Sequence, residues 1–179
     1  MTTAALAVGV VACATAAVHL CAGLGKLVAP EHAREAVAGL LRLADPVARR
    51  VVRLLALAET FVAVALLVPV LRPTGAGLAG VLGLAFAGAG LLGRARGLRA
   101  PCGCFGRPES RPLGAGSVLS GLALVAAAII VLRYGPGGIP RPDLLPVGTA
   151  GLAVAIVVWT WRDMARDLIR ARPTPAVHD

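Results

Sequence analysis

The stretch from Gly75 to Gly93, GAGLAGVLGLAFAGAGLLG, contains no charged residue and consists largely of glycine, alanine and leucine. Arg72 precedes it and Arg94 follows it. A helix needs about 20 mainly apolar residues to cross a bilayer, and this stretch has that length. Its glycines allow neighbouring helix backbones to approach closely, as small residues do at membrane-helix interfaces. The stretch therefore predicts a transmembrane helix that packs closely against its neighbours.

The composition of the whole chain is that of a membrane protein. Of its 179 residues, 58% are hydrophobic and 15% are charged, and the mean hydropathy is +0.82. Soluble domains contain roughly 45–50% apolar residues, so the composition excludes an ordinary soluble enzyme. The formal net charge of +9 would suggest nucleic-acid binding in a soluble protein. Because the arginines cluster between apolar stretches, we expect a lipid bilayer and no nucleic acid as the partner.

Apolar stretches bounded by charges, proline and glycine predict an all-α polytopic membrane bundle of five transmembrane helices. The predicted spans are residues 4–28, 51–71, 75–93, 113–132 and 144–161. They form a single integral membrane domain over residues 1–179, with a polar basic tail at 162–179. Residues 30–44 predict a short amphipathic helix along the membrane surface. The N-terminal stretch has no positive n-region and stays apolar past Cys13, so we expect a retained span and no cleaved signal.

Basic residues are unevenly distributed between the two ends of the predicted spans. Most of them lie between the first two spans, after the third span and in the C-terminal tail. Only Arg72, Arg133 and Arg141 lie at the other end. For a multi-pass cell-membrane protein, the positive-inside rule predicts an external N-terminus and a cytoplasmic C-terminus. The same rule places the loop after the third span in the cytoplasm.

That loop contains the motif PCGCFG, from Pro101 to Gly106. Two thiols one residue apart, here Cys102 and Cys104, can bind a soft metal ion together or close a small, strained disulfide. Gly103 between them removes the side chain that would resist the tight ring, and the nearby arginines favour the thiolate form. The motif indicates a redox pair, with a Cu(I) site or a packing role as alternatives. We expect no zinc site, because a closed zinc site needs four ligands.

Polar side chains inside the first two predicted spans are a second group of candidates. Thr15, His19 and Lys26 fall on one stripe of the first helix. Glu59 is the only acidic residue within the core of a predicted span. At about 1.5 Å per residue, Glu59 and His19 lie at similar depth, which makes them candidate partners. An ionisable group in the bilayer marks a functional site by default; the alternative is a structural tie from Glu59 to Lys26 or His19.

Cys13 and Cys21 also lie in the first predicted span. On a helix, Cys21 points some 200° away from the stripe that contains His19, which argues against a simple Cys-His site. We expect both thiols to be packing residues, because a free cysteine behaves as a small hydrophobe. In the alternative interpretation, Cys21 exchanges with the Cys102 and Cys104 pair.

Three segments together resemble the MauE family of methylamine utilisation proteins, within the wider DoxX-like membrane proteins. They are AGLGKL at residues 22–27, LAE at residues 57–59 and CGCFG at residues 102–106. The CxCFG motif, which includes Phe105 and Gly106, is the most specific of the three. The similarity covers roughly residues 4–132 and implies a four-helix DoxX-like core plus one further helix.

The resemblance implies a membrane protein linked to disulfide chemistry. MauE is associated with maturation of the disulfide-rich small subunit of methylamine dehydrogenase, beside a thioredoxin-like partner. Carried over, Cys102 and Cys104 would be the redox pair of a thiol-disulfide oxidoreductase component. Lys26 and Glu59 would be family positions without an assigned role.

The resemblance also implies an exported, disulfide-containing client, and a quinone is the candidate cofactor. Such a client would favour external cysteines, whereas the charge rule places Cys102 and Cys104 in the cytoplasm. We follow the charge rule, so that reducing equivalents would pass through the bundle by way of Cys21. A non-enzymatic membrane assembly factor is the alternative function.

Overall fold

The computed structural model describes residues 3–97 and 114–135, and the regular elements in this part are all α-helices. They are α1 (Thr3–Val28), α2 (Pro30–Leu41), α3 (Asp45–Leu67), α4 (Arg72–Ala95) and α5 (Ala115–Tyr134). Three of them, α1, α4 and α5, are long and apolar enough to cross a membrane. The predicted all-α membrane fold is therefore confirmed for this part of the chain. The predicted span at 144–161 lies outside the described residues.

The four long helices pack in a ring in which each one contacts two others. Helix α1 packs against α3 and α5, and α4 packs against α3 and α5. All four helices contribute to the core at the centre of the ring. Its buried members are Ala12, Ala16, Val62, Leu66, Ala76, Ala79 and Val131. Because most of these side chains are alanine, the helices can approach closely, as small residues allow in lipid.

Helix α4 and helix α5 share the closest crossing. A Cβ atom built on Gly83 would lie 2.7 Å from the carbonyl oxygen of Gly121, and one built on Gly121 would lie 2.6 Å from the backbone nitrogen of Ala87. Neither position has room for a side chain. The glycine-rich stretch therefore does bring two helix backbones together, as its composition predicts.

The short helix α2 covers one end of the ring. Pro30 occupies its first turn, where a missing N–H costs nothing. It ends at Leu41, earlier than the predicted Ala44, because Arg42 adopts a left-handed conformation with φ of 53° and the N–H of Leu43 bonds back to the carbonyl of Ala38. The guanidinium of Arg96, just after α4, donates to the carbonyl of Leu40. The last turn of α4 therefore lies beside α2.

Helix α3 differs from its predicted span of 51–71. It begins earlier, at Asp45, where an acidic residue and a following proline favour a helix start. It ends at Leu67, and a short turn leads into α4. The prediction followed the apolar residues alone and so omitted the charged first turns. These charges also explain why α3 is not among the helices apolar enough to span by composition.

Candidate functional site

The bundle encloses an ion pair between α1 and α3. Nζ of Lys26 lies 2.7 Å from Oε1 and 2.8 Å from Oε2 of Glu59. It also donates to the carbonyl oxygen of Ala22, 3.3 Å away. These three acceptors equal the number of N–H groups on an ammonium. The side chains of Lys26 and Glu59 are 2% and 0% exposed, so each charge is neutralised by the other within the protein.

The surroundings of this pair come from three helices. The ring of Phe86 on α4 has its centroid 5.7 Å from Nζ of Lys26, within the range of a cation–π interaction. Gly23 on α1 faces Thr60 on α3, and a Cβ atom on Gly23 would lie 2.7 Å from the Thr60 hydroxyl. The two helices thus approach closely beside the pair. Glycine at this position allows Lys26 to reach Glu59 over a short distance.

His19 is a second polar side chain in the interior, and it is only 1% exposed. Its Nε2 atom has no hydrogen-bond partner in the part of the chain that the structure describes. It lies on the same stripe of α1 as Lys26, about 10 Å along the helix axis, and interacts electrostatically with that ammonium. Thr15, one turn away, donates its hydroxyl to the carbonyl of Val11 on its own helix.

The structure assigns Glu59 to Lys26 and not to His19. Both pairings were open from the sequence, although the matching depth favoured His19. The difference arises because depth was counted along the helix axis, whereas a lysine side chain spans about a helical turn and carries its charge away from its own Cα. The contact between Nζ and the carbonyl of Ala22 shows that the side chain of Lys26 points back along α1.

The two cysteines of α1 are buried thiols, consistent with a packing role. Cys13 lies near Arg72, which the sequence pattern did not mark as a site residue. Arg72 is 7% exposed, and its Nε donates to the carbonyl of Leu66 at 3.1 Å. It therefore caps the end of α3 from the first turn of α4. The sequence signal that could have found Arg72 is its position directly after a short turn between two apolar stretches.

The motif residues Cys102, Gly103, Cys104, Phe105 and Gly106 lie outside the described residues. The described residues that flank the loop are at the end of the bundle that α2 covers. Before the loop, Arg96 bonds to α2. After it, the carbonyl oxygen of Gly114 lies 3.0 Å from where a Cβ atom on Gly90, near the end of α4, would be. The last turn of α1, which includes Lys26, is at the same end.

Within residues 3–97 and 114–135, no three His, Cys, Asp or Glu side chains are grouped in a way that could hold a metal ion. The interior of this part of the bundle offers an ion pair and an imidazole instead. The ion pair holds α1 against α3.

The family model described as methylamine utilisation protein MauE matches residues 3–133. The chain belongs to the MauE family. The match includes the described helices almost to the end of α5, and the CxCFG loop falls within its range. Membership of the MauE family and the three membrane-long helices identify an integral membrane protein linked to methylamine utilisation. No curated protein and no solved structure gives a significant match.

Proposed function

We propose that this MauE-family protein carries out thiol-disulfide exchange through Cys102 and Cys104 and so supports the maturation of disulfide-containing partner proteins. The observation that carries the proposal is the position of the CxC pair inside the range matched by the family. Two thiols separated by one glycine suit reversible disulfide formation, because a strained bond is readily reduced. A thioredoxin-like protein is the proposed exchange partner, and an exported disulfide-containing protein is the proposed client.

The proposed exchange proceeds through a mixed disulfide. A thiolate of the partner attacks one sulfur of the Cys102–Cys104 disulfide and displaces the other sulfur as a thiolate. The partner's second thiolate then displaces the first cysteine from the mixed disulfide. The partner ends as a disulfide and the pair as two thiols, so two electrons and two protons pass to the pair. A quinone, the proposed final acceptor, would take up these two electrons and two protons to become a quinol and so regenerate the Cys102–Cys104 disulfide.

In this proposal the buried ion pair has a positioning role. Lys26 and Glu59 hold the end of α1 against α3, at the end of the bundle where the chain leaves α4 and enters α5. Because α1 packs against α5 and α3 packs against α4, fixing α1 to α3 would help to set the separation between the two ends of the loop. The Lys26–Glu59 ion pair itself makes no proposed contact with the substrate.

Single cysteine substitutions test the proposal directly. Purified protein in proteoliposomes is mixed with reduced thioredoxin, and the formation of oxidised thioredoxin is measured over time. We expect Cys102→Ser and Cys104→Ser each to abolish exchange, and Cys13→Ala, which removes a buried thiol of α1, to leave it unchanged. Full exchange in both serine variants would rule out the redox pair. If a variant lacking both loop cysteines still supported assembly of the client, the assembly-factor function would replace the relay.

Labelling determines which side of the membrane the loop faces. Intact cells are treated with a membrane-impermeant maleimide, with and without prior reduction, and modification of Cys102 and Cys104 is measured by mass spectrometry. The proposed cytoplasmic disulfide is labelled only after permeabilisation and reduction. Labelling of intact cells after reduction would place the disulfide outside. Labelling without any reductant would indicate free thiols and favour a metal or packing role.

A further inference from the structure

Helix α3 has two opposite faces of different character. One face is buried in the bundle and includes Val52, Ala56 and Glu59. The other face is exposed and apolar, with Leu54, Leu57 and Phe61 exposed by 67%, 60% and 48%. Side chains this large and apolar, lined up at spacings of three and four residues, are suited to contact with lipid chains. The exposed face of α3 is therefore the surface on which acyl chains would lie.

Two arginines stand directly before this exposed face. Arg50 precedes Leu54 by four residues, and Arg53 precedes Leu57 by four, so both lie on the exposed side of α3. From Arg53 to the end of the helix at Leu67 the axial distance is about 21 Å, which with the following turn approaches the roughly 30 Å of a hydrocarbon core. Both guanidinium groups thus stand at the end of this apolar face, where the headgroup of a lipid lying along it would be.

Neither arginine has an acidic partner within the described residues. Helix α3 contains two carboxylates, and both are engaged elsewhere. Asp45 pairs with Arg34 of α2 and with Arg49, and Glu59 pairs with Lys26 on the buried face. Arg50 and Arg53 are both exposed, so their charges face outward without a counter-ion from the described helices. Arg49 is their neighbour in sequence and differs from them in having its guanidinium bound to Asp45 at 2.7 Å.

We propose that Arg50 and Arg53 bind the phosphate of an anionic phospholipid whose acyl chains lie along Leu54, Leu57 and Phe61. Guanidinium groups bind phosphate oxygens with paired hydrogen bonds, and anionic headgroups attract basic residues next to a membrane helix. A lipid is favoured over free phosphate because the apolar face begins within one turn of the arginines. A lipid contacts both the two arginines and the apolar face, whereas an inorganic anion would contact the arginines alone.

Lipid selection by the full-length protein tests the proposal. The protein is reconstituted in nanodiscs with equal amounts of phosphatidylglycerol and phosphatidylcholine, and the lipids retained on the released protein are counted by native mass spectrometry. We expect preferential retention of phosphatidylglycerol. The double substitution Arg50→Gln with Arg53→Gln should weaken that preference about 30-fold, since each basic residue near anionic lipid contributes roughly fivefold.

Arg49→Gln is the matched control. It removes the same charge from the residue next to Arg50, but the guanidinium of Arg49 is already bound to Asp45. It should change the preference less than about twofold, against about fivefold for Arg50→Gln. Equal effects of these two single substitutions would overturn the proposal, since they would show a response to net charge alone. Retention of both lipids in equal amounts by the unchanged protein would also overturn it.

Two further measurements separate a lipid site from a folding defect and from a site for free phosphate. Arg50→Lys with Arg53→Lys keeps both charges and should retain most of the preference, which would show that the two positive charges carry the binding. Helix content by circular dichroism should be the same in all variants. Inorganic phosphate added at constant ionic strength should leave phosphatidylglycerol in place, and its displacement by phosphate would refute a lipid site.

Discussion

Replacing Lys26 with methionine should destabilise the bundle strongly. Methionine is one heavy atom shorter than lysine but similarly unbranched and flexible, so the substitution keeps most of the packing of the side chain. It removes the group that donates to both carboxylate oxygens of Glu59, and Glu59 is 0% exposed. Removing one partner of a buried pair costs about 3–5 kcal/mol, because the remaining charge is left without compensation. Loss of the contact with Phe86 adds about 0.5–2 kcal/mol.

A double-mutant cycle isolates the pair from the rest of the packing. Lys26→Met with Glu59→Met replaces both charges by apolar groups of similar size, which is often neutral or stabilising. We therefore expect the double variant to be close to the unchanged protein in free energy of unfolding. The two single substitutions should then be coupled by at least about 3 kcal/mol.

Unfolding in mixed micelles, followed by far-ultraviolet circular dichroism, gives the free energies for this cycle. Glu31→Gln is the surface control, because Glu31 pairs with Arg34 while 64% of its side chain stays exposed. It should change the free energy of unfolding by less than about 0.5 kcal/mol. A cost below about 1 kcal/mol for Lys26→Met, or a double variant as unstable as the sum of the singles, would refute the reasoning.

Further predictions concern three other features of the bundle, each measured as the free energy of unfolding in the same micelles. Gly121→Ala should cost about 2 kcal/mol or more, because its Cβ would press on backbone atoms of α4. Gly88→Ala, where a Cβ meets nothing within 4 Å, should instead stabilise the bundle by up to about 1 kcal/mol. Equal effects of the two substitutions would contradict the close packing of α4 against α5 at Gly121. His19→Leu should cost less than about 1 kcal/mol, because it removes a buried nitrogen without a described partner. A loss above about 2 kcal/mol would instead show that Nε2 holds a bonded partner such as an internal water. Arg72→Met should cost about 1–3 kcal/mol by removing the donor to Leu66, and an unchanged stability would show that the cap is dispensable.

The sequence predicts the long helices well because their signal is local. In α1 and α5 the apolar stretch is the helix, and the observed bounds lie within two residues of the prediction. In α3 the observed and predicted bounds differ. Its first turns carry arginines on the helix surface, and by composition these turns resemble a loop. Hydropathy measures how apolar a stretch is and not whether it is helical, so polar helix ends are missed.

The candidate site was predictable in its members and only partly in its contacts. Lys26 and Glu59 stand out in sequence because charges are rare within apolar stretches, and that rarity is visible without a structure. Which partner Glu59 takes depends on the side-chain direction of Lys26 and on the close approach at Gly23, and both are properties of packed helices. The burial of Arg72 was missed for the same reason, since its partner is a backbone carbonyl.

The Lys26–Glu59 pair also affects the order in which the translocon can release the helices. Insertion of a lone charged residue such as Asp or Lys costs up to about 2.5–3.5 kcal/mol, the value at mid-membrane, and α3 carries Glu59 within its apolar part. Lys26 is synthesised first, 33 residues earlier, near the end of the strongly apolar α1. We expect α1 to wait at the lateral gate until α3 arrives, so that Lys26 and Glu59 enter the bilayer together as a neutral pair. The effect of substituting Lys26 would then be seen during biosynthesis, because α3 would fail to enter the bilayer in a fraction of nascent chains.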